Sequence, residues 1–337
     1  MLRLARASVL VLCGAVAVAA IGARNKPRSA HAALPVVVEY HIPTAGAFPH
    51  DPAVDQAGSV WYTDQANSRI GRLDPETGRF TDQPTPSPRA GPHGILAAPD
   101  GSIWYTGNSN GTIGHLDPAT GQIREYRLPA TMPDPHTPLL VGAYLWFTVQ
   151  RGNVIGRLDP ATGDVRTIAV PTRRALPYGL ALAPDGTMWV ALFGTNRLAH
   201  LVPPDGALTE VSLPNPGARP RRLVVDAEGV VWYSDYGRGY IGRYDPARGQ
   251  AAEWATPAEH GAPYGIAIGP DGRLWFDEVA SGSIVAFDRT THTMESIKIP
   301  TVGSIVRNIS VDMQRGRIWL AESGVERLGR IDVPGGR

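Results

Sequence analysis

The 337-residue sequence predicts an all-β protein, a seven-bladed β-propeller built from four-stranded blades. The first observation is a repeat, because a tryptophan recurs every 42 to 44 residues, at Trp61, Trp104, Trp146, Trp189, Trp232, Trp275 and Trp319. The second is composition: 38 glycines and 31 prolines favour short strands joined by tight turns. The third is that the last repeat lacks a fourth strand, whereas the front of the chain has one to spare.

The first 32 residues predict a secretory signal peptide, which leaves residues 33–337 as a single propeller domain. Arg3 and Arg6 precede an apolar run over 8–22, and small residues at Ala30 and Ala32 suit cleavage after Ala32. The run is too short for a comfortable membrane span. Three basic residues between this run and the cleavage point leave an uncleaved anchor as the alternative.

Cysteine content and charge narrow the class of protein further. The single cysteine, Cys13, lies in the predicted signal, so the mature chain has no thiol for disulfides, metal binding or nucleophilic catalysis. Removing five basic residues with the signal changes the net charge from +1 to −4, and no basic face for nucleic acid is evident. We expect a secreted or periplasmic monomer that binds neither nucleic acid nor, once the signal is cleaved, a membrane.

Each repeat has the same order of strands and turns. An apolar first strand leads to a turn such as "PDG", then to the tryptophan strand, a third strand such as "IGRLD", a turn such as "DPATG" and a fourth strand ending in "LP". Asp caps such turns, Pro presets φ and Gly permits positive φ. The tryptophans are predicted to pack between neighbouring blades.

The two ends of the chain are predicted to pair. The segment "PVVVEYHIP" over 35–43 is a strand without a blade, and the last repeat, 307–333, has three strands. Pairing them closes the ring and covers the edges that an open array would expose.

The start of each first strand and the end of each second strand lie at one end of the channel. The position that opens the first strand is polar in every blade: His50, His93, His136, Tyr178, Arg221, Tyr264 and Arg307. Three residues after the tryptophan, four blades carry a carboxylate: Asp64, Asp235, Glu278 and Glu322. These residues predict a site for a small-molecule or peptide ligand at the channel mouth. The alternative is a structural role. The imidazole and phenol groups would then hydrogen-bond backbone carbonyls of nearby loops, and Arg221 with Asp235 or Arg307 with Glu322 would form ion pairs within a blade.

The unit "PHGILAAPDGSIWYTGNSNGTIGHLDPATGQIREYRLP", residues 92–129, resembles a blade of the virginiamycin B lyase (streptogramin lyase) family, and related units extend from about 49 to 333. The resemblance implies a lyase that opens an ester of a cyclic depsipeptide by elimination, without water and with Mg²⁺. It also implies the site: a histidine opening one blade, an acidic-Pro-His sequence opening the next, and a glutamate four residues after that blade's tryptophan.

The family's constellation lies in the sixth and seventh blades, where this chain has Tyr264, Arg307 and Glu322. Rotating the ring gives a better match in the second and third blades, with His93 and then "DPH" over 134–136. On that match the resemblance implies His93 and His136 as catalytic residues and Asp134 with Gln150 as magnesium ligands. Since Gln150 replaces a glutamate, the metal site has one negative charge fewer. His50, Tyr178, Arg221, Tyr264 and Arg307 are the predicted substrate-binding residues.

Two other functions remain open at this point. One is a non-catalytic propeller that presents its polar face to a ligand or a partner protein. The other is a calcium-dependent lactonase, for which Glu278, Asn308 and Asp235 loosely resemble the acidic and amide ligands of that type. A metal shared by His93 and His136 requires their nearest ring nitrogens to lie within roughly 8 Å of each other and not to point into neighbouring carbonyls.

Overall fold

The computed structural model describes residues 35–204 and 207–333. The predicted signal peptide, 1–32, lies outside the described residues. Within the described part of the chain the strands form seven four-stranded antiparallel sheets, each with its strands in chain order except the last. The predicted seven-bladed, all-β propeller is therefore confirmed.

The strands follow one another along the chain with few other elements between them. They are β1 (Val37–His41), β2 (Pro49–Val54), β3 (Val60–Asp64), β4 (Arg69–Asp74), β5 (Arg79–Pro84), β6 (Pro92–Ala97), β7 (Ile103–Gly107), β8 (Thr112–Leu116), β9 (Ile123–Arg127), β10 (Pro135–Val141), β11 (Tyr144–Val149), β12 (Val154–Leu158), β13 (Val165–Ala169), β14 (Pro177–Leu182), β15 (Met188–Leu192), β16 (Arg197–Leu201), β17 (Leu208–Ser212), β18 (Pro220–Val225), β19 (Val231–Asp235), β20 (Tyr240–Asp245), β21 (Gln250–Ala255), β22 (Pro263–Ile268), β23 (Leu274–Glu278), β24 (Ser283–Phe287), β25 (Met294–Lys298), β26 (Val306–Asp312), β27 (Arg317–Glu322) and β28 (Arg327–Asp332). Blades one to six take β2 to β25 in groups of four. Over 35–204 and 207–333 the helical content is one 3₁₀ turn, Ser323–Val325. This part of the chain thus contains no helix with the length and hydrophobicity of a transmembrane span.

The first strand of the chain completes the last blade. In blade seven the order is β26-β27-β28-β1, and β1 runs antiparallel to β28 with Val37 opposite Ile331 and His41 opposite Arg327. The ends of the described chain are thereby joined in one sheet, and the edge of β28 is paired instead of exposed. The predicted closure of the ring is confirmed.

The repeating tryptophans hold neighbouring blades together. All seven are at most 6% exposed, and each contributes to a core shared with the adjacent sheet. Trp104 of blade two, for example, packs in one cluster with Leu145 and Phe147 of blade three. Large rings at one point in every blade fill the gap between twisted sheets. The predicted packing role is confirmed.

Candidate functional site

A β-bulge at the start of every first strand aims the site residues. In blade one, Pro49 pairs with Asp64 and Pro52 pairs with Tyr62, so His50 and Asp51 together oppose the single residue Thr63. The same register shift occurs in all seven described blades. A bulge bends the strand and redirects a side chain. Each of the seven positions predicted from the sequence is the first of two bulged residues.

In four blades a hydroxyl two residues after the tryptophan links the bulge to the next blade. Thr63 Oγ1 accepts a hydrogen bond from the backbone of Asp51 at 3.1 Å and donates to the carbonyl of His93 in blade two at 2.9 Å. Thr106, Thr148 and Ser234 donate in the same way to the carbonyls of His136, Tyr178 and Tyr264. The backbones that carry the site residues are therefore held by buried hydrogen bonds between blades.

The three histidines converge on one arc. The ring centroids of His50 and His93 are 3.7 Å apart, those of His93 and His136 are 4.5 Å apart, and Tyr178 follows at 4.8 Å from His136. All four side chains are buried. The spacing of His93 and His136 lies well inside the limit that a shared metal or a shared substrate requires.

The hydrogen bonds of His136 define its tautomer. Nδ1 lies 2.8 Å from the backbone carbonyl of Asp134 and 3.2 Å from the amide nitrogen of Asn108. Because the nearer partner is a carbonyl oxygen, which can only accept, Nδ1 carries the proton and donates it. The lone pair is then on Nε2, and no side chain or backbone group of the described residues makes a hydrogen bond to it. Burial lowers the pKa of His136 to about 4, so the ring is neutral at neutral pH. A neutral imidazole with a free lone pair can act as a proton acceptor.

The other two histidines each form a hydrogen bond with another side chain of the site. Nδ1 of His50 donates to Asp51 at 2.9 Å, and Nε2 of His93 lies 3.0 Å from the hydroxyl of Tyr178. That hydroxyl also makes a short hydrogen bond to the hydroxyl of Tyr264. Burial lowers the pKa of both histidines well below the ordinary value, and Nδ1 of His93 is buried without a partner among the described residues.

A buried ion pair crosses the channel next to the histidines. Arg222 of blade five donates to Asp51 of blade one at 2.8 and 3.0 Å. The sequence interpretation missed both residues, although a signal was present. The second bulge position reads Asp51, Gly94, Thr137, Gly179, Arg222, Gly265 and Asn308, and a Cβ on Gly94 would lie 2.1 Å from the carbonyl of His136. Three blades have glycine at this position. The presence of an acid, Asp51, in one blade and a base, Arg222, in another therefore indicates that these two side chains pair with each other.

Arg221 is enclosed by aromatic rings. Its guanidinium carbon lies 3.8 Å from the ring centroid of Tyr264, and 4.5 to 4.8 Å from those of Tyr236, Phe193 and Tyr178. Arg307 lies between Phe48 and Tyr264, at 5.6 and 5.8 Å. Cation–π contacts of this kind hold a guanidinium without neutralising its charge.

The expected arc of carboxylates does not face the channel. Asp64 pairs with Pro49, so the two side chains share one face of the sheet and His50 lies on the other. The carboxylates instead bind loops: Asp64 accepts from Phe48 N, Asp235 from Arg219 N, Glu278 from Ala258 N and Glu322 from Ser304 Oγ.

The alternative of ion pairs within a blade is therefore wrong. Asp235 pairs with Arg238 at 2.7 Å, and no carboxylate of the described residues lies within ion-pair distance of Arg221 or Arg307. The lactonase interpretation loses Asp235 and Glu278 as channel ligands for the same reason.

The residues present fit a magnesium ion poorly. Both carboxylate oxygens of Asp134 accept from Arg151 N at 3.0 Å, and Oδ2 also accepts from Arg151 Nε at 3.1 Å. Gln150, next to Arg151, is half-buried and adds no charge. Both carboxylate oxygens of Asp134 are thus occupied by hydrogen bonds to Arg151, whereas Mg²⁺ needs free oxygen ligands.

A second group satisfies the spacing for a metal. Ligand atoms of His50, Asp51 and His93 lie within 4.8 Å of one another. Asp51, however, already accepts from Arg222 and His50. Two imidazoles also suit a transition metal better than magnesium.

A cavity elsewhere on the protein does not have these features. Its volume is about 530 Å³, and it lies between blades five and six at the opposite, turn-bearing end of the sheets. Its arginines are paired: Arg289 with Asp226, Arg273 with Asp271 and Arg248 with Asp245. The channel end is the candidate site because it holds buried polar groups that the protein leaves unpaired.

Fold and site together define a seven-bladed propeller with a polar cluster of imidazoles, phenols and guanidinium groups at one end of its channel. The sequence profile of the virginiamycin B lyase family matches residues 32–250. The chain belongs to that family. No curated protein sequence matches it.

Solved structures agree on the fold. Virginiamycin B lyase from Staphylococcus aureus is 24% identical with a TM-score of 0.82, over 89% of this chain and 99% of that one. The same values hold for a catalytically inactive form of that enzyme with quinupristin. A streptogramin B lyase is 24% identical with a TM-score of 0.81, over 88% and 97% of the two chains. YCF48 bound to D1 peptide is 12% identical with a TM-score of 0.71, over 90% and 99%.

Proposed function

We propose that this protein is a carbon–oxygen lyase of the virginiamycin B lyase type that opens an ester of a cyclic depsipeptide, with His136 as the proton acceptor. The observation that carries the proposal is the tautomer of His136. Its Nδ1–H is held by the carbonyl of Asp134, and its Nε2 receives no hydrogen bond from the described residues. Membership of the family supports the substrate class.

The proposed reaction is a β-elimination. Nε2 of His136 takes a proton from the carbon next to a carbonyl group, and the electrons of that C–H bond form a carbon–carbon double bond. The adjacent carbon–oxygen bond of the ester breaks, and the oxygen leaves as part of a carboxylate. Because no water is consumed, the ring-opened product has the same mass as the substrate.

His93 and the tyrosine pair are proposed to position the substrate and the base. The ring of His93 packs against that of His136 at 4.5 Å, and its Nε2 is held by Tyr178. The ring of Tyr178 also packs against that of His136, at 4.8 Å. A base held by two neighbouring rings loses little conformational freedom when the substrate binds.

Quinupristin is a suitable first probe because the inactive S. aureus enzyme has been solved with it. The purified chain is incubated with quinupristin, and the product is analysed by mass spectrometry. Elimination yields a ring-opened isomer of unchanged mass, whereas hydrolysis adds one water. We expect His136→Gln to lower the rate at least ~100-fold. His260→Gln, at a side chain that is 86% exposed, should leave the rate unchanged.

Magnesium dependence stays a prediction of the family resemblance, and the same assay tests it with EDTA and with added Mg²⁺. If quinupristin and a panel of other cyclic and linear esters are all left intact under both conditions, the lyase proposal fails. The chain is then a ligand-binding propeller without catalysis.

We also propose that the protein acts outside the cytoplasm, in the periplasm or after secretion, and as a monomer. The basic, apolar and small-residue order of the first 32 residues supports export, as does the lack of cysteine after Cys13. Cell fractionation with N-terminal sequencing of the mature chain tests both the location and the cleavage after Ala32.

A further inference from the structure

Two guanidinium groups at the channel end have no counter-charge. No carboxylate of the described residues lies within ion-pair distance of Arg221 or Arg307, and Nε of each is buried without a hydrogen-bond acceptor. Most other arginines that lie over aromatic rings are neutralised. Arg238, over Tyr240, pairs with Asp235 and Glu253.

The surrounding groups do not supply the missing negative charge. Asp51, the acid nearest to the histidines, is already paired with Arg222. Asp277 is buried, and burial raises its pKa to about 8, so it is mostly protonated at neutral pH. His50, His93 and His136 are neutral, as described above. Arg221 and Arg307 therefore leave two positive charges, on half-buried side chains, at this end of the channel.

The aromatic rings decide which part of Arg221 a ligand can reach. Tyr264 and Tyr236 lie over the guanidinium at 3.8 and 4.5 Å, with Phe193 at 4.7 Å. Stacked rings cover the flat faces of a guanidinium and leave its in-plane N–H groups for hydrogen bonding. A planar carboxylate matches such an edge through two parallel hydrogen bonds.

We propose that Arg221 and Arg307 form a carboxylate-binding site, and that in the lyase reaction they receive the carboxylate released from the ester. The proposed base, His136, and the cation Arg221 lie on either end of contacts with one ring. The ring of Tyr178 is 4.8 Å from the ring of His136 and 4.8 Å from the guanidinium carbon of Arg221. As the carbon–oxygen bond breaks, its electron pair moves onto the carboxylate, where the two guanidinium groups neutralise it. These cations thus stabilise the negative charge that develops on the leaving group. A metal could have that role instead, but Asp134 and Gln150 are poorly arranged to hold one.

The identity of this carboxylate as the leaving group rests on the proposed function, but carboxylate binding itself does not. Phenylacetate is the probe, because it combines a carboxylate with a ring suited to the rim of Phe48, Phe193 and Tyr236. Phenylacetamide is the uncharged match. Both are titrated by calorimetry in EDTA at constant ionic strength, together with inorganic phosphate.

We expect phenylacetate to bind at least tenfold more tightly than phenylacetamide. Arg221→Gln and Arg307→Gln should each lower phenylacetate affinity at least tenfold and leave phenylacetamide unchanged. The control is Arg79→Gln, on the exposed outer strand β5, which should bind as the wild type does. If Arg221→Gln fails to fold, Arg221→Lys keeps the charge and loses the planar fork, and its affinity should fall between wild type and no binding.

Equal affinity for the two probes, tighter binding of phosphate than of phenylacetate, or no phenylacetate binding in EDTA would each overturn the carboxylate site. His136→Gln separates this inference from the proposed function, because it should abolish turnover of quinupristin and keep phenylacetate binding. If wild type binds phenylacetate but never turns over an ester, the lyase proposal fails and the carboxylate site stands. If turnover is normal and phenylacetate neither binds nor inhibits, the carboxylate site fails alone.

Discussion

Arg222 of blade five and Asp51 of blade one join opposite sides of the channel, with Nη2 at 2.8 and 3.0 Å from the two carboxylate oxygens. The side chains are 7% and 3% exposed. Removing one member of a buried pair leaves the other charge without a partner, which commonly costs about 3–5 kcal/mol. The pair is therefore a strong link between distant blades.

We predict that Asp51→Asn and Arg222→Met each destabilise the protein by about 3 kcal/mol or more, and that the double variant costs clearly less than the sum. Asparagine at position 51 can still accept the hydrogen bond from His50. The test is the free energy of unfolding in guanidinium chloride, measured for wild type, both single variants and the double variant. Strictly additive effects would mean that the pair is not coupled.

The sequence predicts the fold well and the site only in part. Blade number and closure follow from local features, namely the tryptophan period and the surplus strand over 35–43, and both are confirmed. The ring of residues opening each first strand also follows from the repeat. The repeat marks Asp51 and Arg222 as exceptions at a position that is glycine in three blades, but it does not show that side chains 171 residues apart meet across the channel.

The misplaced carboxylates have a different cause. Asp64, Asp235 and Glu278 lie at the end of the sheet where the sequence puts them, but strand pairing places each opposite a proline, on the face away from the bulged residue. A change of one position in a strand reverses the face. Which face is buried depends on the bulge, and the bulge is not visible in the repeat itself.

The buried histidines predict loss of stability in acid. The unfolded chain has ordinary histidine pKa values, whereas burial, opposed in part by the carbonyl of Asp134, lowers the pKa of His136 to about 4. The unfolded state thus binds more protons between those values, so stability is present above about pH 6.5 and is lost as the pH falls toward 4. Arg221 and Arg222 also disfavour protonation.

For His136 alone the expected loss is about 2 kcal/mol between pH 7 and pH 5. His136→Gln should remove this share, so its unfolding free energy should fall less steeply over the same range. His260→Gln, at an 86% exposed side chain, should follow the wild type. Parallel curves for wild type and His136→Gln would contradict the assignment.

Asp277 predicts the opposite trend in base. It occupies the position where Thr63, Thr106 and Ser234 bind the next blade, and its Oδ1 accepts from Gly265 N at 2.6 Å while Oδ2 has no partner in the described chain. Burial raises its pKa to about 8. The folded state thus holds a proton that the unfolded state has lost, so stability present below about pH 4 is lost as the pH rises through 8.

Asp277→Thr should supply the same hydroxyl that Thr63, Thr106 and Ser234 supply in their blades. It also removes the carboxyl group that titrates. Relative to wild type, we expect this variant to gain on the order of 2 kcal/mol between pH 6 and pH 9. Unfolding free energies at the two pH values measure the gain. A constant difference between the two proteins would show that Asp277 does not hold a proton in the folded state.

Gly114 is required by the ring of Tyr105, its partner on the neighbouring strand. A Cβ at Gly114 would lie 2.0 Å from the ring, which crosses the third strand so that its hydroxyl can donate to Glu125 on the fourth. Blade four has Val190 and Ala199 at the same pair. The tyrosine ring and the glycine therefore occur together. In blade four valine replaces the tyrosine and alanine replaces the glycine.

We predict that Gly114→Ala destabilises the protein by about 2 kcal/mol or more through overpacking, and that Tyr105→Val costs about 3 kcal/mol through lost burial. The double variant reproduces the pair of blade four and should cost at least about 1 kcal/mol less than the sum, because the alanine then occupies space that the ring has vacated. Chemical unfolding of wild type, both single variants and the double variant measures this coupling. A double variant whose loss equals the sum would show that the ring moves aside freely, and that glycine is not needed at position 114.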